Sequence, residues 1–211
     1  MPHLQEPNIK RAIAFFDGQN LYRCAKTAFG YTHPNFDPLK LFNAVCQQGN
    51  WQNHGVRFYT GTPNQKKSPM WHAYWANRLL AMRRAGIFVA SREIRYREEE
   101  VTLIGGLTKK IEVAQEKGID VRIALDVVRL AYTQAFDVAV IFSQDQDLRE
   151  VADEIREISK LHNKWFRICS AFPVSPTATN SRGIEKTDWI KIDKAFYDRC
   201  LDTRDYRPKK S

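Results

Sequence analysis

The sequence is poor in cysteine and in long apolar runs, and each shortage excludes a class of protein. Four of its 211 residues are cysteine, far apart in the chain: Cys24, Cys46, Cys169 and Cys200. They form no CxxC pair, and no histidine cluster joins them at zinc-ligand spacing. The sequence therefore predicts neither a disulfide framework nor a structural zinc site.

The longest apolar runs, such as residues 138–142, have the length of a strand. A transmembrane helix needs roughly 20 apolar residues, so we expect no membrane association. The N-terminal residues also lack the apolar core of a signal peptide, which predicts a cytoplasmic protein.

Acidic residues are fewer than basic ones. The chain has 24 Asp and Glu against 33 Lys and Arg, a formal net charge of +9. Basic globular surfaces attract polyanions, and nucleic acid is the commonest of these. The charge alone does not separate nucleic-acid binders from other basic proteins.

Short apolar runs alternate with amphipathic segments along the chain. The runs that predict strands are residues 12–16, 55–60, 87–91, 136–142 and 165–171. Helical patterns lie between them, for example over residues 70–85 and 120–132. This alternation predicts an α/β domain with a mainly parallel sheet of about five strands. Such sheets place their ligand sites beyond the carboxyl ends of the strands.

Two segments depart from the alternation. Residues 92–117 alternate polar with apolar side chains around Gly105 and Gly106, which predicts a solvent-facing hairpin or extended excursion. Residues 187–200 read as a last short strand or helix. We predict one domain over residues 9–200 and a flexible basic tail over residues 201–211.

Four acidic residues fall where a parallel sheet exposes its ligand edge: Asp17, Asp120, Asp145 and Asp147. Converging carboxylates can hold Mg²⁺ or Mn²⁺, which prefer oxygen ligands. With such an ion the cluster can activate water and stabilise charge on a phosphoryl oxygen.

Helix capping is the alternative interpretation of these acids. Asp147 with Glu150 matches a capping pattern, and Asp120 is a plausible N-cap after Gly118. Asp17 follows an apolar strand directly, where a carboxylate without a partner is costly to bury. The set of four, in an otherwise basic chain, favours a metal site.

Three segments resemble the motifs of the NYN domain family, the LabA-like branch of the PIN-like nucleases. They are FFDGQN (residues 15–20), EKGIDVRIALD (116–126) and VIFSQDQD (140–147). The resemblance covers roughly residues 9–172. It implies a three-layer α/β/α, Rossmann-like PIN domain and a ribonuclease that depends on Mg²⁺ or Mn²⁺.

The resemblance also assigns roles to residues. Asp17, Asp120, Asp145 and Asp147 match the catalytic, metal-binding acids of the family. Asn20, Ser143 and Asp126 match supporting positions. Asp126 is turned about 120° from Asp120 on a helix, so we expect it to support the metal ligands indirectly or to have a structural role.

One motif position departs from the family pattern. Gln144 stands where the family usually has Gly, and this keeps a second hypothesis open: a catalytically weak or inactive module that binds RNA or recruits a partner. A phosphohydrolase of the haloacid-dehalogenase type is a third hypothesis. It normally needs a second Asp where this chain has Gln19.

An RNA substrate, which we expect to be single-stranded, needs cations near the acids. The candidates lie after the second strand and along the excursion: Lys66, Lys67, Arg92, Arg95, Lys109 and Lys110. The alternative is a solvated hairpin, because neighbouring glutamates cancel much of the charge. Trp71, Tyr74 and Trp75 can either stack on unpaired bases or form core. A homo-oligomer is left open.

Overall fold

The computed structural model describes residues 4–102, 108–115, 117–176 and 181–208. Six strands form one sheet in the order β3-β2-β1-β6-β7-β8, and every neighbouring pair is parallel. They are β1 (Arg11–Asp17), β2 (Gln52–Thr62), β3 (Phe88–Glu93), β6 (Val138–Phe142), β7 (Arg167–Pro173) and β8 (Asp188–Ile192). The predicted α/β class with a mainly parallel sheet is confirmed. The sixth strand is β8, in the segment for which the sequence left strand and helix open.

Helices cover both faces of the sheet, which gives the three layers that were predicted. They are α1 (Gly18–Phe29), α2 (Pro38–Gly49), α3 (Pro69–Arg84), α4 (Ile119–Tyr132), α5 (Arg149–His162) and α6 (Lys194–Asp198). The start of α2 follows from local sequence, since the Asp37 side chain accepts the N–H groups of Leu39 and Lys40 and Pro38 suits the first helical position. None of the helices in the described ranges combines the length and the apolar character needed to cross a membrane.

The two faces of β1 contribute to two separate cores. Ala12, Ala14 and Phe16 pack with residues of α1, α2 and α3, whereas Ile13 and Phe15 pack with residues of α4 and α5. This division follows from the two-residue period of a strand. Each fully buried Phe stabilises the fold by about 1.5–3 kcal/mol, so β1 is anchored from both sides.

The excursion contains an antiparallel hairpin of β4 (Arg95–Thr102) and β5 (Thr108–Gln115). Gly105 and Gly106 lie outside the described residues. Lys67, in the loop before α3, forms an ion pair with Glu112 of β5, and its Nζ lies 4.5 Å from the ring centroid of Tyr96 in β4. The hairpin is thereby held against the loop that follows β2.

The C-terminal segment packs against the domain, whereas the sequence predicts a flexible tail from residue 201. Leu201 forms an antiparallel bridge with Phe36, and Tyr206 is buried in a T-shaped contact with Tyr74. The carbonyl of Tyr206 also accepts a hydrogen bond of 3.1 Å from Asn77 Nδ2. An aromatic anchor near the chain end accounts for the difference.

Candidate active site

Three of the four predicted acids line one pocket, which we call the acidic pocket. It has a volume of about 410 Å³, and its lining includes Asp17, Asn20, Asp120 and Asp145. Asp17 ends β1, and Asp145 comes three residues after β6, its neighbour in the sheet. Because these strands are parallel, both acids reach the same carboxyl edge.

Asp17 is buried and hydrogen-bonded at the end of β1. Its Oδ1 accepts the backbone N–H of Asn20 at 3.0 Å, which caps α1, and its Oδ2 accepts the Ser143 hydroxyl at 3.4 Å. Burial raises the pKa of Asp17 to about 6, and the negative charge of Asp145 adds to the effect. A cation in this pocket would favour the ionised form.

Ser143 links the Asp17 carboxylate to the backbone of Asp145. The hydroxyl that donates to Asp17 also accepts the backbone N–H of Asp145 at 3.1 Å. Ser143 is itself buried at the end of β6. Its hydroxyl therefore fixes the position of Asp17 relative to that of Asp145.

Asp145 both caps a short helix and lines the acidic pocket. Its Oδ1 accepts the N–H of Asp147 at 3.1 Å and so caps the 3-10 helix Gln146–Leu148. Asp147 is exposed and is not among the described residues that line the acidic pocket. Its predicted role as a fourth acid rests on the motif alone.

Asp120 enters the pocket from the start of α4. It is the second residue of that helix, and Gly118 occupies the N-cap position with φ of 72°. Asp120 is therefore not the N-cap, which was the alternative interpretation of this residue. A carboxylate in the first turn also suits the positive end of the helix dipole.

The chemistry of the acidic pocket suits a divalent cation. Mg²⁺ keeps several waters and is usually bound through one or two carboxylates together with substrate phosphates. Asp17 and Asp145 are near enough to interact electrostatically. Within the described ranges, however, no three His, Cys, Asp or Glu side chains are gathered closely enough to hold an ion by themselves. The donors fit an ion that takes two carboxylates and completes its shell with water.

Two cations that the sequence reasoning missed line the acidic pocket: Arg23 of α1 and Lys117. Arg23 lies three residues after Asn20, a spacing that places both on one face of α1. Lys117 belongs to the EKGID segment. Arg23 was therefore detectable one helical turn after Asn20, and Lys117 within the second motif itself.

The predicted RNA-binding cations lie around the hairpin rather than in the pocket: Lys66, Lys67, Arg92, Arg95, Lys109 and Lys110 are all exposed. Lys67 is paired with Glu112, and Lys110 lies 3.8 Å from Glu98. Arg92 donates to the carbonyl of Lys117 at 3.4 Å. Of these six cations, Arg92 contacts a residue that lines the acidic pocket.

Asp126 lies outside the acidic pocket and acts as the centre of a charge network. Its carboxylate accepts the Tyr59 hydroxyl at 2.8 Å and pairs with three arginines: Arg57, Arg122 and Arg129. Burial by itself raises its pKa, but the Tyr59 hydrogen bond and the Arg57 charge outweigh burial and leave the pKa below its ordinary value. This residue joins α4 to β2.

Gln144 fills the motif position where Gly is usual without backbone strain. Gln144 does not have a positive φ. In the described part of the chain, the non-glycine residues that do are Asn50, Gln134, Asn163 and Lys186. The N–H of Gln144 donates to Asn20 Oδ1 at 3.0 Å and orients that side chain. The departure from Gly is therefore compatible with an intact loop.

Gln144 and Gln146 also hold residues 182–185 against the acid-bearing loop. Gln144 Nε2 donates to the carbonyl of Arg182 at 2.7 Å, and Gln146 Nε2 donates to that of Gly183 at 3.0 Å. Gln146 Oε1 accepts the N–H of Glu185 at 3.1 Å. We call residues 182–185 the clamped segment.

The parallel sheet with its acidic carboxyl edge defines a PIN-like α/β/α domain. The family model of the NYN domain matches residues 11–170, about three quarters of the chain. The chain belongs to the NYN domain family, a family of PIN-like nucleases. The match does not specify the LabA-like branch, and it ends before the clamped segment and β8. No curated protein matches the chain.

Proposed function

We propose that this protein is a metal-dependent endoribonuclease that hydrolyses RNA phosphodiester bonds at the acidic pocket. The observation that carries the proposal is the linkage of Asp17 and Asp145 through Ser143 at the carboxyl edge of the sheet. Membership of the NYN family supports a nuclease in general terms. The choice of RNA, the metal and the residue roles are the further steps that we propose.

Asp17 and Asp145 would hold Mg²⁺ or Mn²⁺, with Asp120 contributing from the start of α4. Such an ion supplies positive charge for a phosphoryl oxygen and activates water for attack. Ser143 holds the Asp17 carboxylate and the backbone of Asp145 in place, and Asn20 is held by Gln144 beside them.

Arg23 and Lys117 offset the negative charge of the pocket for an incoming phosphate. Both line the acidic pocket, and guanidinium and ammonium groups bind phosphate oxygens well. The exposed cations around the hairpin would then attract more distant phosphates. Their contribution is electrostatic and should weaken as salt rises.

The experiment is cleavage of labelled single-stranded RNA, structured RNA and DNA in Mn²⁺, Mg²⁺ or EDTA. We expect cleavage of RNA that EDTA abolishes, and loss of cleavage in Asp17→Asn and in Asp145→Asn. Glu154→Gln is the matched control, because Glu154 is an exposed acid on α5. Unchanged EDTA-sensitive cleavage in both Asp variants would refute the assignment.

Asp147→Asn decides whether a fourth acid takes part. Full activity in this variant would remove Asp147 from the catalytic set without affecting the other three. The binding-module hypothesis is an outcome of the same experiments. It would be favoured by RNA binding without cleavage, together with no heat of Mn²⁺ binding in calorimetry at millimolar metal.

A further inference from the structure

A second pocket adjoins the acidic pocket and shares two residues with it, Gln19 and Arg23. Its volume is about 340 Å³, near the lower end of the range for small-ligand sites, about 300–1,000 Å³. Its walls are largely apolar and include Tyr22, Trp71, Trp75 and Ile94. We call it the aromatic pocket.

Trp71 differs from the other aromatic residues at the start of α3. Its side chain is 40% exposed, whereas Tyr74 is 8% and Trp75 9% exposed. The sequence left core packing and base stacking open for all three residues. The structure places Tyr74 and Trp75 in the core and leaves Trp71 accessible to a ligand.

The walls of the aromatic pocket are held in position by contacts of their own. Trp71 makes a T-shaped contact with Tyr74, with ring centroids 5.4 Å apart. The Tyr22 hydroxyl donates to the carbonyl of Thr32 at 2.8 Å. A ligand entering here would therefore meet aromatic rings that are already ordered.

We propose that the aromatic pocket receives one unpaired nucleobase of the RNA strand that is cut in the acidic pocket, and this rests on the proposed nuclease function. Arg23 lines both pockets. It would therefore lie between a base in the aromatic pocket and a phosphate of the same strand in the acidic pocket. Indole rings stack on the face of any base, so the pocket should distinguish single-stranded from double-stranded RNA more than one base sequence from another. A duplex keeps its base faces stacked on one another and cannot offer one.

A nucleobase explains this pocket better than a protein partner does. The aromatic pocket opens beside the carboxylates of the acidic pocket, and the exposed guanidinium of Arg23, which donates to Gln19 Oε1 at 3.4 Å, lines both pockets. An apolar side chain of a protein partner would fill the aromatic pocket but would offer this guanidinium no anion. A nucleotide satisfies both halves of the pocket. Its base covers the aromatic rings and its phosphate lies near Arg23.

The test measures binding in EDTA, so that no cleavage occurs, by fluorescence anisotropy with the whole chain at low ionic strength. The probes are a labelled single-stranded RNA, the same RNA with abasic sites, and its duplex. We expect the wild type to prefer the single strand. Trp71→Ala should weaken that binding about tenfold, whereas Trp71→Phe should retain most of it.

The abasic probe separates stacking from other causes. Trp71→Ala should bind abasic RNA as the wild type does, because no base remains to be lost. Tyr132→Ala is the matched control, since Tyr132 is a 57% exposed aromatic residue at the far end of α4. It should bind every probe as the wild type does.

Three outcomes would overturn the base pocket: no preference for the single strand, unchanged binding in Trp71→Ala, or an equal loss for the abasic RNA. A thermal melt of Trp71→Ala checks that the variant is folded, and if it is not, the wild type's binding of intact against abasic RNA still decides the proposal. Base-dependent binding without any metal-dependent cleavage would refute the nuclease and leave the base pocket standing. The two proposals therefore fail separately.

Discussion

Replacing Asp17 with Asn should stabilise the metal-free protein at neutral pH while abolishing cleavage. In the folded chain the pKa of Asp17 is about 6, raised by burial and by Asp145. An unfolded Asp has a pKa of about 3.9. Folding therefore takes up a proton between these values, and the ionised carboxylate opposes folding at higher pH.

The magnitude follows from the two pKa values. Relative to a neutral side chain, Asp17 lowers the free energy of unfolding by about 0.5 kcal/mol at pH 4, about 1.5 kcal/mol at pH 5 and about 3 kcal/mol at pH 7.5. The loss grows as pH rises through the window from 4 to 6 and is nearly constant above it. Asn can keep both contacts: its carbonyl can accept the Asn20 N–H, and its amide can donate to the Ser143 oxygen in place of the bond that Ser143 donates to the carboxylate.

The assay is urea denaturation in EDTA at pH 5 and pH 7.5. Asp17→Asn should gain up to about 3 kcal/mol at pH 7.5 and about half as much at pH 5. Saturating Mg²⁺ should then stabilise the wild type and leave the variant unchanged, since an ion that binds only the folded site adds stability by mass action. Glu154→Gln should match the wild type throughout.

A variant that is no more stable than the wild type at pH 7.5 would refute the reasoning. So would a gain that is the same at both pH values, because the burial of a charged carboxylate predicts a pH-dependent difference. The m-value should stay constant in every comparison, which shows that the denatured state has not changed.

Three other variants probe positions outside the acid pair. Asp126→Asn should lose about 1.5–3 kcal/mol in urea denaturation, because the buried carboxylate no longer accepts charged hydrogen bonds from the partly buried Arg57 and its exposed neighbours, while Mn²⁺ affinity by calorimetry stays unchanged. Gln144→Ala should lose about 1 kcal/mol for the hydrogen bond to Arg182, and its initial rate of RNA cleavage should fall. Tyr206→Ala should release the C-terminal segment, seen as faster tryptic cleavage after Arg204 by mass spectrometry. Stable protein in the first case, or unchanged rates in the other two, would contradict these assignments.

Local sequence was enough to predict the elements that carry the acids. The apolar run of β1 ends at Asp17, and the run of β6 ends just before Ser143 and Asp145. A parallel sheet brings such strand ends to one edge whatever the rest of the chain does. The α/β class follows from the same periodicities, since each is contained within a window of a few residues.

The predictions were weaker for side chains whose binding partners are far away in the sequence. Lys67 looks like a phosphate ligand until the hairpin brings Glu112 to it. Asp126 matches a family position, but three arginines and Tyr59 occupy its carboxylate. No local sequence pattern predicts such pairings, because they depend on how β2, α4 and the hairpin pack together.

The sequence by itself determined the fold class, the edge at which Asp17, Asp120 and Asp145 would lie, and the chemistry they suit. Only the tertiary structure decided that the Ser143 hydroxyl reaches Asp17 across 126 residues of chain, that the clamped segment supports the acid-bearing loop, and that Trp71 is accessible beside the acidic pocket. The physical reason is the range of the interactions. Periodicity and capping act between near neighbours, whereas burial, side-chain pairing and pockets arise only when remote segments pack against one another.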